Sequence, residues 1–414
     1  MKRLASIALC VSLASAGLLG STGSTFAAPA PASSAVGSAT ETFKQRAERS
    51  ISDAAVSEAV KATFRAVVAE LPDDADQRVA RLNAKLGIKD TQWAGIAGSV
   101  INPADYQCDT TPLQTWVRGT VANWGFSELF VLTWLPLLDL ATYDALLFGT
   151  ESKANTFGID GQYTSLLTSQ MKDLRAFWDI QGNDIQLVPM HGADLYKDAD
   201  RLARLLGVLF GLTPDSALNV ARMIIELMDL VPGFQGGAHP LFTLNAFAFD
   251  PSDEPAFVAF GMTKSIVMGD GILQGFAAIG IDEKVGPRAI LAHEYGHQVQ
   301  FAKKLFESTL TGAEATRRTE LMADGLGTYF MVHSKGEALN ATRTLADQKT
   351  FYNVGDCGFA SDGHHGTPNQ RYTTSGWAVS VVNSAADQGH QLGSVEFQTR
   401  FDAKHAELVA PDAG

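Results

Sequence analysis

Cysteine is scarce in this chain, with 3 in 414 residues. Cys10 falls inside an apolar stretch at the N-terminus, so processing there leaves only Cys108 and Cys357. Two cysteines are too few for a cysteine-only zinc site. Positive charge is also in short supply: 32 Lys and Arg stand against 45 Asp and Glu, a formal net charge of −13. With no basic run anywhere, nucleic acid and anionic membrane surfaces are poor partners. Long hydrophobic runs are missing beyond the N-terminus. Phe130–Leu138 comes nearest, is broken by Pro136 and is followed by Asp139, well short of the roughly 20 apolar residues of a membrane span. No stable membrane insertion is therefore expected. Internal repeats, heptads and long low-complexity tracts are absent too.

What is present begins with a leader. Lys2 and Arg3 precede the apolar run Leu4–Leu19, and small residues lead to Thr25-Phe26-Ala27. That order of positive, apolar and small residues reads as a signal peptide over residues 1–28. The protein is expected to be exported, periplasmic or secreted. In an oxidising compartment Cys108 and Cys357 are expected to pair, closing a loop worth about 4–5 kcal/mol in the chain-entropy treatment. Residues 29–40, rich in Ala, Pro and Ser, read as a flexible linker.

Residues 41–235 have apolar positions recurring at three and four, the period of amphipathic helices. Ser52 or Asp53 is expected to start one helix and Leu71-Pro72 to end it. Asp200–Leu212 and Thr213–Leu230 read as two more, the second opened by Thr213-Pro214-Asp215. Nothing here points to chemistry, and part of the region is a candidate propeptide. Pro232-Gly233 and Gly236-Gly237 then break the pattern and mark a boundary. Beyond it Leu241–Phe249, Ala256–Phe260 and Ser265–Met268 carry short β-favourable runs. The expected class is α+β: a mostly helical N-terminal region, then a catalytic domain over residues 236–414 with a small sheet and one special helix.

That helix spans Gly286–Phe306 and contains His293-Glu294-Tyr295-Gly296-His297. Residues four apart share a helix face, so His293 and His297 can reach a single metal ion. Glu294 is rotated about 100° from His293 and flanks the ion, where a general base for a metal-activated water belongs. A third protein ligand is needed. Ala315–His333 reads as a helix in which Glu320 and Asp324 are again four apart. Glu320 would complete a two-His, one-Glu set, and Asp324 would accept the second ring N–H of a ligand histidine. Glu307 and Glu314 are rivals for the third place, but neither has an Asp one turn later.

His293-Glu294-Tyr295-Gly296-His297 followed by Glu320-Leu321-Met322-Ala323-Asp324 resembles the gluzincin metallopeptidases, whose third ligand is the Glu of E-x-x-x-D. Asn245-Ala246-Phe247 resembles the N-A-F segment that forms their substrate-binding edge strand. Ser265–Leu273 resembles the strand and turn before their active-site helix. His365-Gly366-Thr367-Pro368-Asn369-Gln370-Arg371 is similar to a segment of the bacterial neutral zinc metallopeptidases. The order of motifs is also that of the CAAX-protease-like peptidases, which are membrane-embedded, as this chain is not expected to be. The resemblance covers roughly residues 240–385 and implies a zincin-like catalytic domain with one Zn2+ per chain and a peptide or protein substrate.

The loop before the last helices holds His365, Arg371 and Tyr372, any of which could aim a donor at the oxyanion of a tetrahedral intermediate. Tyr329 and His333 could do the same from the second helix, and Arg371 could instead pair with Asp324 or Glu320. The expected activity is hydrolysis of peptide bonds with Glu294 as base. The alternatives are a zinc hydrolase of a non-peptide substrate and a non-catalytic peptide-binding or maturation protein on the same scaffold.

Overall fold

The structure is a computed structural model. It describes residues 41–86, 106–356, 363–384 and 389–412, together with the backbone of 7–9. The expected leader, apart from that short stretch, the linker 29–40 and Cys357 lie outside the described residues. No single described helix is long and apolar enough to cross a membrane.

The chain is mostly helical with one small sheet, consistent with the α+β expectation. It opens with α1 (Phe43–Asp53), α2 (Glu58–Glu70) and α3 (Ala75–Leu86). Thr42 and Gln45 form a reciprocal cap at the start of α1, and the Ser57 side chain caps α2, each satisfying amides that have no partner within the helix. Ser52 and Asp53 thus end a helix where the sequence suggested a start. The better cap is Ser57, whose hydroxyl accepts from Val60 N.

Next come α4 (Pro112–Thr120), α5 (Phe126–Trp134), α6 (Leu137–Phe148) and α7 (Thr164–Phe177). After strand β2 (Gln186–Met190) follow α8 (Gly192–Leu195), α9 (Ala199–Phe210) and α10 (Pro214–Leu230). Thr213 caps α10 and Pro214 opens it, as expected. Pro232–Gly237 is a tight 3₁₀ turn in which Gln235, Gly236 and Gly237 adopt positive φ. The buried apolar core nevertheless runs without interruption from Phe43 to Leu408, so the helices on either side of that turn share one interior.

The sheet combines β2 with β3 (Ala246–Phe249) and β4 (Ser265–Gly269). β3 runs antiparallel to the central β4, and β2 runs parallel to it. Along its other side β3 pairs with β1 (Ile7–Leu9), placing Ile7 opposite Phe249 and Leu9 opposite Phe247. Among residues 41–412, β3 is therefore an edge strand. The β-favourable run Ala256–Phe260 is helical instead, as part of α11 (Pro255–Phe260). Pro255 occupies the first turn and Gly261 closes the helix at φ 95°, the start and stop that favour one helical turn over a strand. Strand β2 was not foreseen. It carries Pro189, a residue that a sheet tolerates only on an edge, and β2 is the edge opposite β3.

From β4 the chain enters α12 (Asp270–Ala278) and then α13 (Gly286–Lys303). A helix thus intervenes where a turn was expected. Residues 289–300 of α13 are buried on every side, marking a central helix in place of a surface one. The helices α14 (Gly312–Val332), α15 (Ala341–Asn353), α16 (Pro368–Asn383) and α17 (Ser394–Leu408) complete the core around it. Two glycines set the spacing of α13 and α14. A Cβ on Gly296 would lie 3.2 Å from the Ala323 carbonyl oxygen, and one on Gly327 would lie 3.0 Å from the His293 amide nitrogen. A Cβ at either point would press on the facing backbone, so glycine there favours the close approach at which the polar faces meet.

Candidate metal centre

Where α13 and α14 touch, polar groups replace the apolar packing. His293, Glu294, His297 and Asp324 are fully buried, and Glu320 nearly so. The two imidazole Nε2 atoms lie 3.0 Å apart. Glu320 Oε2 is 3.3 Å from His293 Nε2, and Oε1 is 3.4 Å from His297 Nε2. Ligand atoms bound at 2.0–2.2 Å to one tetrahedral ion would be separated by about 3.3 Å. The three residues therefore present a ligand set of the right size. Among the described residues this is the one group of three His, Cys, Asp or Glu that could hold a metal ion.

Hydrogen bonding decides which atoms point inward. His293 Nδ1 is 2.8 Å from Asp324 Oδ1, an acceptor, so Nδ1 carries the proton and Nε2 presents a lone pair. His297 Nδ1 is 2.8 Å from Gln300 Oε1. The orientation of that amide is fixed because Gln300 Nε2 donates to the Thr319 carbonyl at 2.8 Å. Both Nε2 lone pairs and a carboxylate thus converge within 3.4 Å, and Glu320 Oε2 makes no hydrogen bond. Three mutually repelling acceptors buried together call for a cation between them.

The surrounding charges agree. Arg371 on α16 is fully buried and clamps Asp324 twice, Nε to Oδ2 at 2.8 Å and Nη2 to Oδ1 at 2.6 Å. Its Nη1 donates to the Val354 carbonyl at 3.1 Å. In the loop before α16, Asp356 sits between two imidazoles, 2.6 Å from His364 Nδ1 and 3.0 Å from His365 Nδ1, and also accepts from the His365 amide at 2.7 Å. Four carboxylates, those of Glu294, Glu320, Asp324 and Asp356, are buried in this part of the core, and a divalent ion would offset part of that charge. For His365, burial pulls downward and is outweighed by Glu320 and Asp356, so its pKa is raised.

Most of the residues expected from the sequence meet here: His293, His297, Glu320, Asp324, His365 and Arg371, with Glu294 buried on α13 next to His293. Arg371 does so as the partner of Asp324, so its guanidinium is turned away from a substrate role. Tyr372, next along α16, points outward and is 36% exposed. Tyr329 and His333 are also elsewhere, since both bond to the His390 carbonyl on the far side of α14. Glu314 pairs with Arg317 and is no rival to Glu320. Asn245 directly precedes β3, with its buried Oδ1 unbonded, and Ala246 and Phe247 lie within the strand.

Two residues escaped the sequence reading. Gln300 stands three residues after His297 on the same helix face, a spacing that could have revealed it. Gln298 points the other way, and its amide nitrogen donates to the Phe249 and Ser265 carbonyls at 3.0 and 2.9 Å. Helix α13 is thereby pinned to the facing ends of β3 and β4. Compared with family models, curated proteins and solved structures, the chain matches none.

Proposed function

We propose that this protein is an exported zinc-dependent metallopeptidase of the gluzincin type. The observation that carries the proposal is the convergence of His293 Nε2, His297 Nε2 and the Glu320 carboxylate within 3.4 Å, with a carboxylate at Glu294 beside them and no thiolate. A hard-to-borderline ion with nitrogen and oxygen ligands suits that set, and zinc is the usual occupant of two histidines and one glutamate. When bound, zinc would activate a water and polarise the scissile carbonyl.

The chain's own residues supply the rest. Glu294 takes one proton from the attacking water and returns it to the leaving amine nitrogen as the C–N bond breaks. His365, oriented by Asp356, is the residue that would donate to charge developing on the carbonyl oxygen. Asp324 and Arg371 hold His293 in place. β3 offers its outer edge to an extended peptide, and removal of the leader would bare the side that Ile7–Leu9 covers.

Incubation with an unbiased peptide library tests the reading. Cleavage that stops with a zinc chelator and resumes on adding zinc is the expected result. Cleavage indifferent to the chelator would reject it. Zinc uptake without cleavage of any peptide would move the proposal to a non-peptide hydrolase or to a binding role.

A further inference from the structure

Gln300 is fully buried, and both ends of its amide are occupied. Oε1 accepts from His297 Nδ1 at 2.8 Å, and Nε2 donates to the Thr319 carbonyl at 2.8 Å. Thr319 is the residue before Glu320, so this one side chain ties the second imidazole of α13 to the turn of α14 that carries the carboxylate. The two histidines are thus backed differently. His293 leans on an ionised carboxylate that Arg371 neutralises, whereas His297 leans on an uncharged amide. A second carboxylate at position 300 would add a further buried negative charge and lose the donor to Thr319, so an amide gives the same orientation with less electrostatic cost.

We infer that Gln300 is a positioning residue of the metal centre, fixing the tautomer of His297 and its register against Glu320. The inference rests on the metal-binding reading proposed above. Without Gln300, His297 would be free to carry its proton on Nε2, the atom that faces His293 and Glu320, and each proton there blocks a ligand position.

The test uses Gln300→Leu, which removes acceptor and donor while keeping bulk, and Gln300→Glu, which keeps an acceptor for His297. Tautomers are read by ¹⁵N NMR of the histidine rings in the metal-free protein, and zinc affinity by competition with a chromophoric chelator. In the wild type His297 should be the Nδ1–H tautomer. Gln300→Leu should shift it toward a mixture and weaken zinc by roughly 10–100-fold, while Gln300→Glu should keep the tautomer and return most of the affinity. A Leu variant with unchanged tautomer and affinity overturns the inference. If Leu prevents folding, Gln300→Glu decides alone, and loss of the Nδ1–H tautomer there overturns it. Failure of the wild type to bind zinc rejects the metal reading, and the tautomer measurement still decides the role of Gln300.

Discussion

Replacing Asp324 by Asn separates the hydrogen-bonding role of this residue from its charge. In the wild type Oδ1 accepts from both His293 Nδ1 at 2.8 Å and Arg371 Nη2 at 2.6 Å, while Oδ2 accepts from Arg371 Nε at 2.8 Å. An amide has one acceptor end. With its oxygen in the Oδ1 place, its NH2 faces the Nε–H of Arg371. Flipped, the NH2 faces His293 and Nη2. Either way a donor meets a donor, and the buried guanidinium loses its counter-charge. Breaking one side of such a buried pair costs about 3–5 kcal/mol, and loss of the group that orients a ligand histidine lowers metal affinity about 10–100-fold. The metal-free variant should unfold several degrees lower in a thermal scan, and chelator competition should show the weaker zinc binding. Adding Arg371→Met removes the stranded charge, so the double variant should regain thermal stability without regaining zinc affinity. A single variant that matches the wild type in both assays would refute this account of the Asp324–Arg371 clamp.

Asp347 on α15 is fully buried, with Oδ2 accepting from Thr328 Oγ1 at 2.8 Å and Oδ1 unbonded. Burial raises its pKa to about 7 from 3.8, the nearby Asp324 adding to the rise. Because the folded state holds this proton more tightly than the unfolded one, stability falls as pH rises from about 4 to about 7, by roughly 4 kcal/mol at most. Asp347→Asn cannot lose a proton, so its thermal advantage over wild type should grow between pH 5 and pH 8, and a pH-independent difference would count against the buried acid. Gly296→Ala puts a methyl group 3.2 Å from the Ala323 carbonyl oxygen, so an overpacking loss of about 1–3 kcal/mol and weaker zinc binding are expected, the first by denaturant titration and the second by chelator competition. A Cys108–Cys357 bridge should appear as one linked peptide in a non-reduced digest and vanish on reduction. Two free thiols would contradict it.

The candidate ligands on α13 were legible because their pattern is local. His293 and His297 need only the helical period to share a face, with Glu294 about 100° round the helix from His293, and Glu320 and Asp324 repeat the i, i+4 spacing on a second helix. What the sequence concealed depended on tertiary contact. Arg371 read equally well as an oxyanion donor or as a structural pair, and only the meeting of α16 with α14 shows its guanidinium committed to Asp324. Gln300 looked like an ordinary polar residue late in a helix until Thr319 supplied the second half of its bonding. Among the elements, β2 was hidden by Pro189, whose missing N–H is harmless only on a sheet edge that the sequence does not reveal. Ala256–Phe260 misled in the opposite sense, since its apolar and aromatic residues favour a strand while the Pro255 start and Gly261 stop impose one turn of helix.

The most direct test of the central claim compares wild type with Glu294→Gln for zinc content and peptide cleavage side by side. Both proteins should bind one zinc ion per chain, because Glu294 flanks the ligands without joining them. Wild type alone should cleave, with the variant slower by several orders of magnitude. Full activity in Glu294→Gln, or no zinc in either protein, would contradict the account.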